Sequence, residues 1–177
     1  VNRNDRQDEF EDFWIMGTLT ELSATLGQLL VQEKLVLTTA ESCTGGGIAS
    51  AVTDIAGSSA WFDRAFITYS NEAKMDMLGV DPYTLQKEGA VSQKVVQQMA
   101  AGAIQSSMAN VSISVSGIAG PGGGSDEKPV GTVWFGWKLA DDTEVQKVKV
   151  FKGDRGEVRQ QACYFALQTL VELIDKP

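Results

Sequence analysis

Leu35-Val-Leu-Thr-Thr-Ala-Glu-Ser-Cys-Thr-Gly-Gly-Gly-Ile-Ala-Ser-Ala-Val52 runs from a short apolar and β-branched stretch through three consecutive glycines into a segment of small residues. The pattern predicts a buried strand over residues 35–39 and a helix over roughly 45–54, with the glycines at the junction. Such a junction, at the end of an α/β strand, is where reactive and ligand-binding groups are commonly presented. Here it carries a hydroxyl, Ser42, and a thiol, Cys43. Backbone N–H groups around Thr44, Gly45 and Gly46, together with the helix dipole, can stabilise an oxyanion beside them.

Outward from this stretch, helix and strand signals alternate. Leu19, Leu22, Leu26, Leu29 and Leu30 recur at helical spacing and predict an amphipathic helix over 18–33. The polar residues before it are expected to form a flexible extension over 1–17. A strand is predicted over 66–70, then a helix over 72–78 capped by Asn71 and ended by Gly79. Asp81-Pro82 opens another helix. A further helix begins at Ser92 and carries an apolar face of Val95, Val96, Met99, Ala100, Ala103 and Ile104.

A strand over 111–116 leads into a glycine-rich loop over 117–129. Residues 130–139 and 144–151 form an antiparallel pair, and Asp154 with Glu157 starts the last helix in a capping box. These elements predict one domain over 18–177: α/β, a three-layer α/β/α sandwich with a mixed, mostly parallel sheet of about five strands. Trp61, Trp134 and Trp137 are expected in its core.

Composition narrows the chemistry. The chain has 177 residues, a net charge of −8 and no histidine. That charge disfavours nonspecific nucleic-acid binding, which needs basic surface. No apolar run approaches the ~20 residues of a membrane helix. Cys43 and Cys163 form no disulfide framework and fit a reducing cytoplasm. Without histidine, a Ser-His-Asp triad, a Cys-His dyad and a His-ligated zinc site are all excluded.

The base must then be Lys, Tyr, Asp or Glu. Tyr69-Ser-Asn-Glu-Ala-Lys74 supplies a tyrosine at a strand end and a lysine one turn into a helix, so both can enter one crevice. A serine–lysine pair works if the lysine sheds its proton. Lowering its pKa from ~10.4 to about 7.5 needs roughly 4 kcal/mol against the ammonium. The plain alternatives stay open on the residues alone. Ser42 or Thr44 can be a helix cap, Cys43 can be the nucleophile or a buried hydrophobe, and Lys74 can be solvated. Ser116 and Gly117, at a strand end before the glycine loop, can ligate an anion or carbonyl. Arg155, at the start of the last helix, suits a phosphate or a surface ion pair.

Taken together, Thr39-Ala-Glu-Ser-Cys-Thr-Gly-Gly46, Tyr69-Ser-Asn-Glu-Ala-Lys74, Ser116-Gly-Ile-Ala-Gly-Pro121, Lys128-Pro-Val-Gly-Thr-Val133 and Gly153-Asp-Arg155 resemble the CinA C-terminal domain family. The resemblance implies a nicotinamide-nucleotide amidase that converts nicotinamide mononucleotide to nicotinate mononucleotide and ammonia, a step of pyridine nucleotide salvage. It implies Ser42 as nucleophile, Lys74 as base, Tyr69 as assisting group and Arg155 as phosphate ligand. It also implies no metal or cofactor, a cytoplasmic homodimer, and a small-molecule pyridine nucleotide as the partner rather than nucleic acid or membrane.

Overall fold

The structure is a computed structural model that describes residues 3–176, with side chains from residue 18 onward. Helix α1 covers Arg3–Gln32, and the expected extension over 1–17 lies outside the described side chains. There follow β1 (Leu37–Glu41), α2 (Gly47–Thr53), β2 (Phe62–Ile67), α3 (Asn71–Leu78), α4 (Pro82–Glu88) and α5 (Gln93–Gln105). The chain closes with β3 (Val111–Gly117), β4 (Thr132–Lys138), β5 (Glu144–Val150) and α6 (Arg155–Ile174).

The five strands form one mixed sheet in the order β2-β1-β3-β4-β5. β1 pairs in parallel with β2 and with β3, and β4 pairs antiparallel with β3 and β5. Four strands therefore point one way and β4 alone reverses. The chain leaves β1 toward β2 through α2, then crosses back to β3 through α3, α4 and α5. That reversal makes the end of β1 a topological switch point, the place where an open α/β sheet leaves a crevice.

Period-two alternation sends one set of side chains to each face. Val111, Ile113, Val115, Val133, Phe135 and Trp137 join Leu26, Leu30, Ile48, Val52, Val158 and Leu167 in the core under α1, α2 and α6. Ala40 meets Leu78, Leu85, Val95, Val96 and Met99 from α3–α5 on the other face. The result is the three-layer sandwich. Trp61 and Trp137 are buried and Trp134 packs against the second core.

The α5 face of the sheet is unusually polar. Ser112 and Ser114 donate to the Ala100 and Val96 carbonyls, so the helix sits close on the strands. Gly136 permits that approach, since a Cβ there would stand 2.7 Å from the Val96 oxygen.

Several boundaries differ from expectation, each for a local reason. β1 lies two residues later than predicted, because Leu35 still belongs to the turn that closes α1, its amide donating to the Leu30 carbonyl, and the ladder starts only at Leu37. β2 ends at Ile67, before Tyr69, so the tyrosine stands on the connection to α3. Ser70, not Asn71, caps α3, its side chain accepting from the Ala73 amide. The caps at Asp81 and Ser92 and the Asp154–Glu157 capping box stand as predicted.

Candidate active site

Ser42 follows the last residue of β1 and begins a turn, its carbonyl accepting from the Gly45 amide. A second turn closes with the Gly47 amide on the Thr44 carbonyl, and α2 starts there. Gly46 caps α2 with φ at 96°, a left-handed conformation that is strained for residues bearing a Cβ.

Beneath this turn lies Glu41, fully buried. One carboxylate oxygen accepts from the Thr44 hydroxyl at 2.7 Å and the Ile48 amide at 2.9 Å. The other accepts from the Ala49 amide at 3.0 Å and the Thr39 hydroxyl at 3.2 Å. Four donors and the start of α2 thus hold a buried anion, and the anion in turn fixes the strand–turn–helix connection. Glu41→Gln replaces one acceptor oxygen by an NH2 that must face a main-chain N–H. We expect a loss of about 2–4 kcal/mol in urea unfolding. An unchanged midpoint would mean that the carboxylate anchors nothing.

Lys74 comes from the first turn of α3 on the opposite face of the sheet. It is 1 % exposed, yet no carboxylate pairs with it among the described residues. Its Nζ stands 3.0 Å from Ser42 Oγ, 2.9 Å from the Thr68 carbonyl and 3.2 Å from the Tyr69 carbonyl. Burial holds its pKa below the ordinary lysine range. A Cys43 thiolate would oppose that shift, but burial pushes the Cys43 pKa up to about 11. At neutral pH Cys43 is therefore an uncharged thiol. It neither supports the lysine's charge nor acts as a ready nucleophile.

The geometry also suits the neutral amine. With three hydrogens Nζ donates to Ser42 Oγ and to both carbonyls; once one proton is lost, two hydrogens still serve the carbonyls and the lone pair can receive the Ser42 proton.

Ser42, Lys74, Tyr69, Ser116, Gly117 and Arg155 line one cavity of about 310 Å³, together with Cys43, Asn71, Val91 and the glycine loop to Gly123. Seven of the ten residues singled out from the sequence, Cys43 among them, thus come together. Thr44, Gly45 and Gly46 do not line it. The Thr44 side chain is turned down to Glu41, Gly45 faces Arg159, and Gly46 is covered by Ile67.

Tyr69 contributes in two ways. Its carbonyl meets Lys74 and accepts a long bond from Ser42 at 3.4 Å, while its hydroxyl accepts from Arg155 Nη2 at 3.1 Å. Arg155 also donates from Nη1 to the Gly120 carbonyl at 2.7 Å, tying the glycine loop to the tyrosine.

Sequence reasoning missed Glu41, Asn71, Val91 and the Thr68 carbonyl. A backbone acceptor leaves no side-chain signal. Glu41 looked like one more residue of the strand end, and its burial had no marker. No group of three or more His, Cys, Asp or Glu side chains stands ready for a metal ion among the described residues.

Known proteins similar to this chain span most of its length. Nicotinamide-nucleotide amidohydrolase PncC of Escherichia coli (strain K12) is 55% identical over 152 residues, spanning 86% of this chain and 92% of that protein. The protein of the same name from Pseudomonas putida is 48% identical over 159 residues, spanning 89% and 98%. The crystal structure of competence/damage inducible protein CihA from Agrobacterium tumefaciens superposes with a TM-score of 0.85 at 46% identity, covering 88% of this chain and 94% of that one. A model of the CinA C-terminal domain matches residues 19–174, and with these likenesses this chain belongs to the CinA C-terminal domain family.

Proposed function

We propose that this chain is a nicotinamide-nucleotide amidase, hydrolysing the carboxamide of nicotinamide mononucleotide to the carboxylate and ammonia. The observation that carries the reading is the buried, carboxylate-free Lys74 amine 3.0 Å from Ser42 Oγ. Similarity to proteins named for this activity supplies the substrate.

In the reaction, neutral Lys74 takes the Ser42 proton as Oγ attacks the carboxamide carbon. Main-chain N–H groups beside Ser42 hold the oxyanion. The proton passes from Lys74 to the departing nitrogen, ammonia leaves, and an acyl-serine ester remains. Water, deprotonated by the same amine, then attacks the ester, and the proton held on Lys74 passes to Ser42 Oγ as the carboxylate product leaves. Tyr69 helps orient Ser42. Arg155, at the N-terminus of α6 and on the cavity wall, binds the phosphate remote from the reacting carbon, where binding energy is spent on orientation. Ser116 and Gly117 contact the substrate from the β3 end. The reaction uses no metal.

Purified protein incubated with nicotinamide mononucleotide should release ammonia and nicotinate mononucleotide in equal amounts. Saturable binding without turnover would instead identify a non-catalytic nucleotide-binding module. The cytoplasmic homodimer belongs to the same reading. Light scattering on that preparation should then give twice the 19.0 kDa chain mass, and a monomer at working concentration would remove that element.

A further inference from the structure

Arg159 lies one helical turn after Arg155 on α6, but it faces the opposite side of the nucleophile turn. Its Nε donates to the Cys43 carbonyl at 3.0 Å and its Nη2 to the Thr44 carbonyl at 3.2 Å. These are the two carbonyls within the turn that Ser42 opens and Gly45 closes. A planar guanidinium with two parallel donors fixes both peptide planes at once, which a single-point ammonium cannot do.

We infer that Arg159 is a positioning residue for catalysis, holding the peptides after Ser42 so that their N–H groups face the nucleophile. The inference rests on the proposed role of Ser42. In a trans peptide the C=O and N–H point in opposite directions. Pinning the Cys43 oxygen on Arg159 therefore turns the Thr44 N–H away from that guanidinium and from the cavity behind the turn. That N–H donates to no acceptor among the described residues. Without the guanidinium, this peptide is free to rotate and present its carbonyl oxygen to the developing oxyanion, which repels it. Glu41 holds the Thr44 side chain and the start of α2, but neither carbonyl. The two residues therefore do separate work, one anchoring the turn from beneath and the other orienting its peptides.

The same side chain lines a cavity of about 320 Å³ between α1, α2 and α6, on the far side of the turn from Ser42. Truncating Arg159 enlarges a space that a small cation can enter, so the missing group can be resupplied from solution.

The test is Arg159→Ala and Arg159→Lys, assayed on nicotinamide mononucleotide beside Ser42→Ala. Loss of one oxyanion donor typically costs about 10²–10³-fold in kcat. Arg159→Ala should fall by about 10²-fold in kcat with KM changed less than about threefold. Arg159→Lys should lie between it and the parent. Guanidinium ion at tens of millimolar should restore at least about tenfold of the Ala variant's kcat and leave the parent unaffected.

A kcat within about threefold of the parent in both variants overturns the inference. So does a loss confined to KM, or a loss in a folded Ala variant that guanidinium does not repair. Should Arg159→Ala fail to fold, the kcat against KM split in Arg159→Lys decides by the same limits. Activity retained in Ser42→Ala would defeat the underlying reading instead, a result distinct from failure at Arg159 alone.

Discussion

Ser42→Ala is expected to lower ammonia release from nicotinamide mononucleotide by at least about 10³-fold while leaving the unfolding transition in place. Losses of that size or more follow removal of an enzyme nucleophile, because the covalent path disappears and only binding and oxyanion stabilisation remain. The fold should tolerate the change. Ser42 is buried, but its hydroxyl makes one long bond to the Tyr69 carbonyl and accepts from Lys74. Neither contact belongs to the sheet ladder or the two cores. Steady-state ammonia assays, with a denaturant curve on the same sample, separate lost chemistry from lost structure. Full activity in this variant would remove Ser42 from the mechanism. Cys43→Ala would then be the next variant, although a thiol with a pKa of about 11 is a poor starting point for attack at neutral pH.

Replacing Lys74 by Met should be comparably severe, about 10³-fold or more in kcat, and should change the shape of the pH profile. Methionine keeps a stem of similar length and removes the amine. In the parent, the rate should rise with pH as Lys74 loses its proton, with a midpoint below the ordinary lysine value because burial penalises the ammonium. The residual rate of the variant should lack that limb.

Stability carries the same signature with a definite sign. Lys74 has a lower pKa folded than unfolded, so between those two values the unfolded chain holds more protons. Stability from this group therefore rises with pH across that window, and the full cost of the buried ammonium persists below it. The parent minus Met difference in unfolding free energy, followed across pH, should show that rise. A Met variant within about tenfold of parental kcat, or one that keeps the limb, would assign the base elsewhere.

The elements that position the site were legible where local chemistry sets them. Leucine spacing marked the helix ending at Gln32, Asp154 and Glu157 marked the start of α6, and Asp81-Pro82 marked α4. Strand edges were less legible. Which residues of 35–41 pair with neighbours depends on where the turn after α1 releases the chain. Likewise Tyr69 continues the β-branched and aromatic pattern of β2, although the ladder ends at Ile67.

Within the site, Ser42 and Lys74 stood out because the absence of histidine left few bases and the glycines marked a strand-to-helix junction. The supporting groups did not stand out. Glu41 reads like any charged residue until four donors converge on it, and the carbonyls of Thr68 and Tyr69 have no signature in a side-chain alphabet. Arg159 carried a weak signal, four residues after Arg155 on one helix.

The amino-acid order by itself determined the alternation of helices and strands, the junction that carries Ser42, and the exclusion of imidazole chemistry. Those features follow from periodicity, glycine conformational freedom and composition, which act locally or by simple absence. The tertiary structure alone decided that Lys74 is buried against Ser42, that the Thr44 side chain turns away from the cavity to Glu41 while Gly45 and Gly46 face Arg159 and Ile67, and that Glu41 and Arg159 grip the turn from two sides. The reason is physical: pKa, burial and hydrogen-bond direction are set by groups distant in the chain, brought together when β1, β2 and β3 pair and helices close over both faces of the sheet.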